Sequence, residues 1–135
     1  MSDVVTTQHT DRISTITLNR PQALNAISGE LAENLKAAIR AANEDPAVDG
    51  MVLTGAGDKA LCAGVDLLEA RDMTAERIES WFGAVCEIYR TILLTDKPFI
   101  CAINGIAAGG GFQMALVSDL RVGHAGAKLG QPEIN

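Results

Sequence analysis

The residues with the clearest chemical promise are the glycines of Ile103-Asn104-Gly105-Ile106-Ala107-Ala108-Gly109-Gly110-Gly111-Phe112-Gln113. An apolar run, Phe99 to Ile103, enters this stretch, and a helix-like run, Gly110 to Val117, leaves it. A strand that passes through a glycine-rich turn into a helix leaves unpaired N–H groups converging on one spot. Glycine lets the backbone approach a ligand closely and take positive φ. Such a spot binds an anion, or an oxyanion that exists only during reaction. Ala63-Gly64-Val65-Asp66 is a second turn of the same kind. Two convergent N–H donors are what a thioester oxygen needs as it becomes an enolate. On spacing alone, the two turns serve equally well as tight strand-to-helix connections with no ligand.

Other chemistries lack their residues. His9, His124 and the three cysteines (Cys62, Cys86, Cys101) are scattered and form no metal-ligand pattern. There is no Gly-x-Ser-x-Gly elbow and no phosphate loop ending in Gly-Lys-Ser/Thr. Gly55-Ala56-Gly57-Asp58-Lys59-Ala60 approximates the dinucleotide fingerprint Gly-x-Gly-x-x-Ala. That fingerprint needs a helix opening among its glycines, and here Asp58, Lys59 and the Ala63-Gly64 break intervene. Residues 99–118 carry no charge and contain Gly105-x-x-x-Gly109, the outline of a membrane span. Asn104, Gln113 and four glycines interrupt it, and a buried strand–turn–helix explains the same residues more simply.

The bulk properties agree. With 135 residues, 47% apolar and 21% charged, the chain reads as one soluble globular domain. A net charge of −6 without a block of Lys or Arg argues against nucleic acid or an anionic membrane as partner. Three widely spaced cysteines fit buried thiols in a reducing compartment. Met1-Ser2-Asp3 lacks the basic and apolar regions of a signal peptide, which predicts a cytoplasmic location.

The elements that would position the glycine turns follow from periodicity. Val4 to His9 and Ile13 to Leu18 predict a β-hairpin ended by Asn19-Arg20-Pro21. Ser28 caps a helix whose apolar face is Leu31, Leu35, Ala38, Ile39 and Ala42. Met51 to Thr54 predicts a buried strand, and a short helix begins near Val65. Thr74 caps a long helix with an inward stripe of Ile78, Phe82, Val85, Tyr89 and Ile92, widened by Trp81, Ile88 and Leu93. Strands over Phe99 to Ile103 and Leu120 to Val122 flank the helix 110–117, and Lys128 to Asn135 closes the chain. Strands alternating with helices predict an α/β domain with parallel pairing.

Four segments, in order, resemble motifs of the enoyl-CoA hydratase/isomerase (crotonase) superfamily. Leu61-Cys62-Ala63-Gly64-Val65-Asp66-Leu67 is similar to its Phe-x-Ala-Gly-Ala-Asp-Ile motif, and Ile103-Asn104-Gly105-x-Ala107-x-Gly109-Gly110-Gly111 to its second motif. Asn19-Arg20-Pro21 with Leu24-Asn25-Ala26 resembles its early loop, and Gln131-Pro132-Glu133 its third catalytic segment. The resemblance implies a crotonase-like spiral of ββα turns acting on acyl-CoA thioesters, with coenzyme A entering as part of the substrate and no separate cofactor or metal. It implies an oxyanion hole from the backbone N–H groups of Val65 and Gly110, with Val65 standing where the family usually has Ala. It places Ala26, Lys59, Ala60, Ala63, Asp66 and Leu67 along the CoA and substrate, Lys59 near a phosphate.

Two departures bear on the reaction. Hydratases of this family use two glutamates, and those positions fall on Gln113 and Glu133. An amide neither takes up nor releases a proton near neutral pH, so Gln113 is not a general base. Glu133 remains as the single carboxylate, which suits double-bond isomerisation as well as hydration. The chain is also about half the family's usual length. The resemblance therefore implies an N-terminal half, with the C-terminal helices that complete the acyl pocket and the family's homotrimer or hexamer missing. An inert CoA-binding remnant is the alternative reading.

Overall fold

The computed structural model describes residues 3–134 of the chain. Met1 and Ser2, which belong to the leader reading above, and Asn135, the end of the closing segment, lie outside the described residues. Strands β1 (Val5–Thr10) and β2 (Ile13–Leu18) form the hairpin, turning through Asp11 and Arg12, both at positive φ. Helix α1 (Gly29–Glu44) follows, with the Ser28 hydroxyl accepting from the Leu31 N–H. Then come β3 (Gly50–Gly55), β4 (Ala60–Cys62), α2 (Leu67–Arg71), α3 (Ala75–Leu93), β5 (Phe99–Ile103), β6 (Ile106–Ala108), α4 (Gly110–Val117), β7 (Leu120–Gly123) and β8 (Lys128–Gly130).

The strands divide between two sheets. One has five strands in the order β1-β2-β3-β5-β7, parallel except for the β1–β2 hairpin. The other has three parallel strands, β4-β6-β8. Successive strand pairs β3/β4, β5/β6 and β7/β8 each give one strand to each sheet before the chain moves on, which is the ββα spiral. The three short strands were not expected from the sequence. Each has only three residues, too few for a period-two pattern to show. Residues 99–118 break into β5, β6 and α4, and no helix among the described residues is long and apolar enough to cross a membrane.

The core lies between the larger sheet and the helices. Ile16, Leu18, Leu53 and Cys101 from the sheet meet Leu31, Leu35 and Ile39 of α1, all fully buried. Burying each such Leu or Ile stabilises the fold by about 1.5–3 kcal/mol.

The stripe of α3 needs correction. Val85, Ile88, Thr91 and Ile92 are buried, whereas Ile78, Phe82 and Leu93 are exposed. Trp81 already packs against Gly29, the first residue of α1. Burial on α3 begins only at Val85, so the apolar periodicity of Ile78 and Phe82 before it, and of Leu93 at the helix end, meets no core.

Candidate active site

The first glycine turn is built by pairing. Ile27 bridges to Val65 in parallel: the Ile27 N–H donates to the Gly64 carbonyl (2.8 Å), and the Asp66 N–H donates to the Ile27 carbonyl (2.9 Å). Successive residues of an extended strand direct their N–H groups to opposite sides. The Val65 N–H therefore points away from Ile27 and has no acceptor among the described residues. Gly64 sits at φ +108, a conformation that favours glycine. Asp66 then caps α2, its Oδ1 accepting from the Leu68 and Glu69 N–H groups at 3.1 and 3.2 Å. The expected helix start near Val65 thus lies two residues later, because Val65 is held in the bridge.

The second turn stacks on the first. A Cβ on Gly64 would stand 3.2 Å from the Ala108 carbonyl oxygen and 3.8 Å from the Gly110 nitrogen. Gly109 opens α4 at φ +52, and its own N–H donates to the Gly130 carbonyl (3.0 Å), tying the turn to β8. The Gly110 N–H, the first of α4, has no acceptor among the described residues. Gly111 packs on the Cys62 carbonyl so closely that any side chain would collide with it. These contacts explain why the segment tolerates only glycine, and they hold the two free donors on neighbouring turns.

The carboxylate of Glu133 lies against Gly109, its carboxyl carbon 3.2 Å from where a Cβ would stand. Glu133 is carried on a short 3-10 turn, Pro132–Ile134, directly after β8. With Ala63, Gly64, Val65, Leu67 and Pro132 it lines a cavity of about 300 Å³. Gln113 is one helical turn beyond Gly110, half-buried, and is not among the residues lining that cavity.

A wider groove of about 440 Å³ shares Ala63, Val65 and Leu67 with this cavity and continues along Arg20, Leu24, Ala26 and Asp66. Its wall is an ion pair: Arg20 Nη2 reaches Asp66 Oδ2 at 2.9 Å, and Arg20 Nη1 donates to the Ala26 carbonyl at 2.7 Å. Burial by itself would raise the Asp66 pKa, but the hydrogen bonds from Arg20 and from the α2 N–H groups outweigh it and hold the carboxyl below its ordinary value. Arg20 lies in the early-loop motif, yet its pairing with Asp66 is not written in the sequence. Beyond Leu24 a third hollow, about 170 Å³, holds Lys59 and Ala60. Of the expected site residues, Ala26, Ala63, Val65, Asp66 and Leu67 thus share one groove, Glu133 joins its inner end, Lys59 and Ala60 lie at its outer end, and Gly110 backs the Gly64 turn.

The loop resembling a dinucleotide fingerprint is committed elsewhere. The Gly55 N–H donates to Asn104 Oδ1, the Ala56 N–H donates to the Leu18 carbonyl, and Gly57 leads into β4 rather than a helix. Asn104 Nδ2 and Asn25 Nδ2 both donate to the Ala60 carbonyl, so two amides pin this loop to the early loop and to the β5–β6 corner. His124 accepts from the Gly126 N–H within a turn after β7.

A spiral of parallel strands in which two stacked glycine turns leave two backbone donors beside one carboxylate defines the class: an α/β protein of ββα turns. The sequence pattern of the enoyl-CoA hydratase/isomerase family matches residues 8–135, and the chain belongs to that family. It is 38% identical over 125 residues to a crotonyl-CoA hydratase of Syntrophomonas wolfei, covering 92% of this chain and 48% of that protein. It is 34% identical over 123 residues to a short-chain-enoyl-CoA hydratase of Clostridium acetobutylicum, covering 91% and 47%. The crystal structure of an enoyl-CoA hydratase from Bacillus anthracis superposes with a TM-score of 0.94 at 34% identity, over 98% of this chain and 52% of that one. The chain spans about half the length of the relatives it matches.

Proposed function

We propose that this chain binds an acyl-CoA thioester along the Lys59-to-Glu133 groove and stabilises the enolate formed from it. The thioester oxygen takes the Val65 and Gly110 N–H groups. The observation that carries this reading is that both donors lack an acceptor among the described residues, on turns packed against each other and flanked by the Glu133 carboxylate. Backbone donors already aimed at the developing charge need no reorganisation during reaction, and one such donor is worth roughly 10²–10³ in rate. The curated relatives named as hydratases support the substrate class.

Glu133 is the proton-transfer group at the α-carbon. Gln113 offers an amide that orients water or the acyl chain but does not exchange a proton near neutral pH. With a single carboxylate, moving a proton between two carbons is as well served as adding water, so double-bond isomerisation is the second reading. Lys59 supplies positive charge at the outer part of the groove, where the CoA phosphates would lie, whereas Arg20 is already neutralised by Asp66.

The test is turnover of crotonyl-CoA (hydration) and of a 3-enoyl-CoA (isomerisation) by this chain and by Glu133→Gln. The variant is expected to retain thioester binding and lose roughly 10²–10⁴ in rate. No turnover of either substrate by the unsubstituted chain, with CoA thioester binding retained, would favour the inert-remnant reading.

A further inference from the structure

Beside the two free backbone donors is a third polar group that neither the oxyanion pair nor Glu133 employs. Tyr89, on α3, places its hydroxyl 3.0 Å from the point where a Cβ on Gly110 would stand. The Ile27 side chain (2.9 Å) and the Gly64 α-carbon (3.9 Å) border the same point. The phenol thus reaches across from α3 to the place where the two glycine turns meet. Its hydroxyl forms no hydrogen bond among the described residues, although the ring is half-buried and packs on the core. The hydroxyl is not sealed in the core, unlike the unpartnered Ser14 Oγ and Gln131 Oε1, so a molecule bound at the turns can replace solvent against it. Burial, and then the neighbourhood of Cys86, Cys62 and Glu133, pushes the pKa of Tyr89 up, so the group stays a neutral O–H.

We propose that Tyr89 determines acyl specificity, its hydroxyl hydrogen-bonding an oxygen carried on the acyl chain close to the thioester carbon. The proposal rests on the thioester reading above. The position of the hydroxyl sets the chemistry. It borders Gly110, one of the two residues proposed to hold the thioester oxygen, so it reaches only the acyl atoms near that carbon, out to a substituent on the β-carbon. A β-hydroxyl lies at that distance, and the far end of a long chain does not. A neutral phenol both donates and accepts, which suits a hydroxyl better than it suits a carboxylate. A site built to hydrogen-bond an oxygen also discriminates against the analogue that lacks it, because its own polar group is then left unpaired.

The experiment is calorimetric titration of the 135-residue chain and of Tyr89→Phe with 3-hydroxybutyryl-CoA and butyryl-CoA. The unsubstituted chain is expected to bind the hydroxyacyl thioester more tightly. Tyr89→Phe should weaken 3-hydroxybutyryl-CoA roughly five- to tenfold, the size of one net hydrogen bond, and leave butyryl-CoA unchanged. Because the hydroxyl has no partner in the fold, the thermal midpoint of Tyr89→Phe should match that of the parent chain. If both thioesters bind and the substitution alters neither, or weakens both equally, Tyr89 has no specificity role while the thioester reading stands. If the unsubstituted chain binds neither thioester, the thioester reading fails and this proposal with it.

Discussion

The carboxylate of Glu133 occupies the space that a Cβ on Gly109 would need, and Gly109 opens α4 at φ +52 and ψ −118. No side chain fits between them, so the same glycine sets the direction of α4 and leaves room for the carboxylate. Gly109→Ala should therefore act twice. It forces a side chain into a conformation that costs about 1–3 kcal/mol, and it displaces Glu133. Thermal unfolding should show the first effect, and loss of the Glu133-dependent turnover the second. A variant with parent-level stability would sink this account of Gly109.

The Arg20–Asp66 pair makes a prediction about pH. Asp66 has a folded pKa below its unfolded value of about 3.9, so its contribution to stability is complete above that value. As pH falls through the folded pKa the carboxylate takes up a proton and the contribution disappears. Arg20 stays charged throughout. Urea unfolding of the parent chain and of Asp66→Asn should show a gap of about 1–3 kcal/mol at pH 7 that closes below about pH 4. A gap independent of pH would mean that the pair contributes nothing through charge.

Thiol accessibility follows burial. Cys62 is buried with its thiol pushed up to about 12 by burial, partly offset by the Gly64 N–H donating to its sulfur. Cys101 is likewise buried, pushed up to about 11. Cys86 is exposed on α3. Iodoacetamide at neutral pH should alkylate Cys86 in the folded chain and all three thiols in urea, read by peptide mass mapping. Rapid native labelling of Cys62 would contradict the packing of the first glycine turn.

Glu69 fastens the short helix α2 to the scaffold: its Oε2 accepts from the Gly29 N–H (2.8 Å) and from Trp81 Nε1 (3.2 Å). α2 begins with Leu67, which lines both the inner cavity and the groove, so this contact anchors the helix that carries a groove residue. Glu69→Ala should cost about 1 kcal/mol. It should also shift the emission of Trp81, the only tryptophan, and weaken thioester binding. Unchanged emission would show that α2 is held by other contacts.

Much of the scaffold is determined locally and so can be read in the chain. Ser28 before Leu31 and Leu35, Thr74 before Ala75, and Asp96-Lys97-Pro98 after Leu93 mark helix limits through capping and proline chemistry. Those signals act within a few residues. The glycine turns, and with them the family resemblance, are legible for the same reason: only glycine satisfies Gly64, Gly109 and Gly111. Tertiary structure alone decided the rest. It set the three-residue strands β4, β6 and β8 in a second sheet, since each is too short to carry a pattern and gains its hydrogen bonds from distant neighbours. It left Ile78 and Phe82 of α3 exposed, because an apolar stripe is buried only where another element lies beneath it. It also brought Arg20 to Asp66, Tyr89 to Gly110 and Glu133 to Gly109, pairs separated by 46 residues or fewer. Side-chain types name what each partner can do, but contacts between such separated residues depend on how the whole spiral packs.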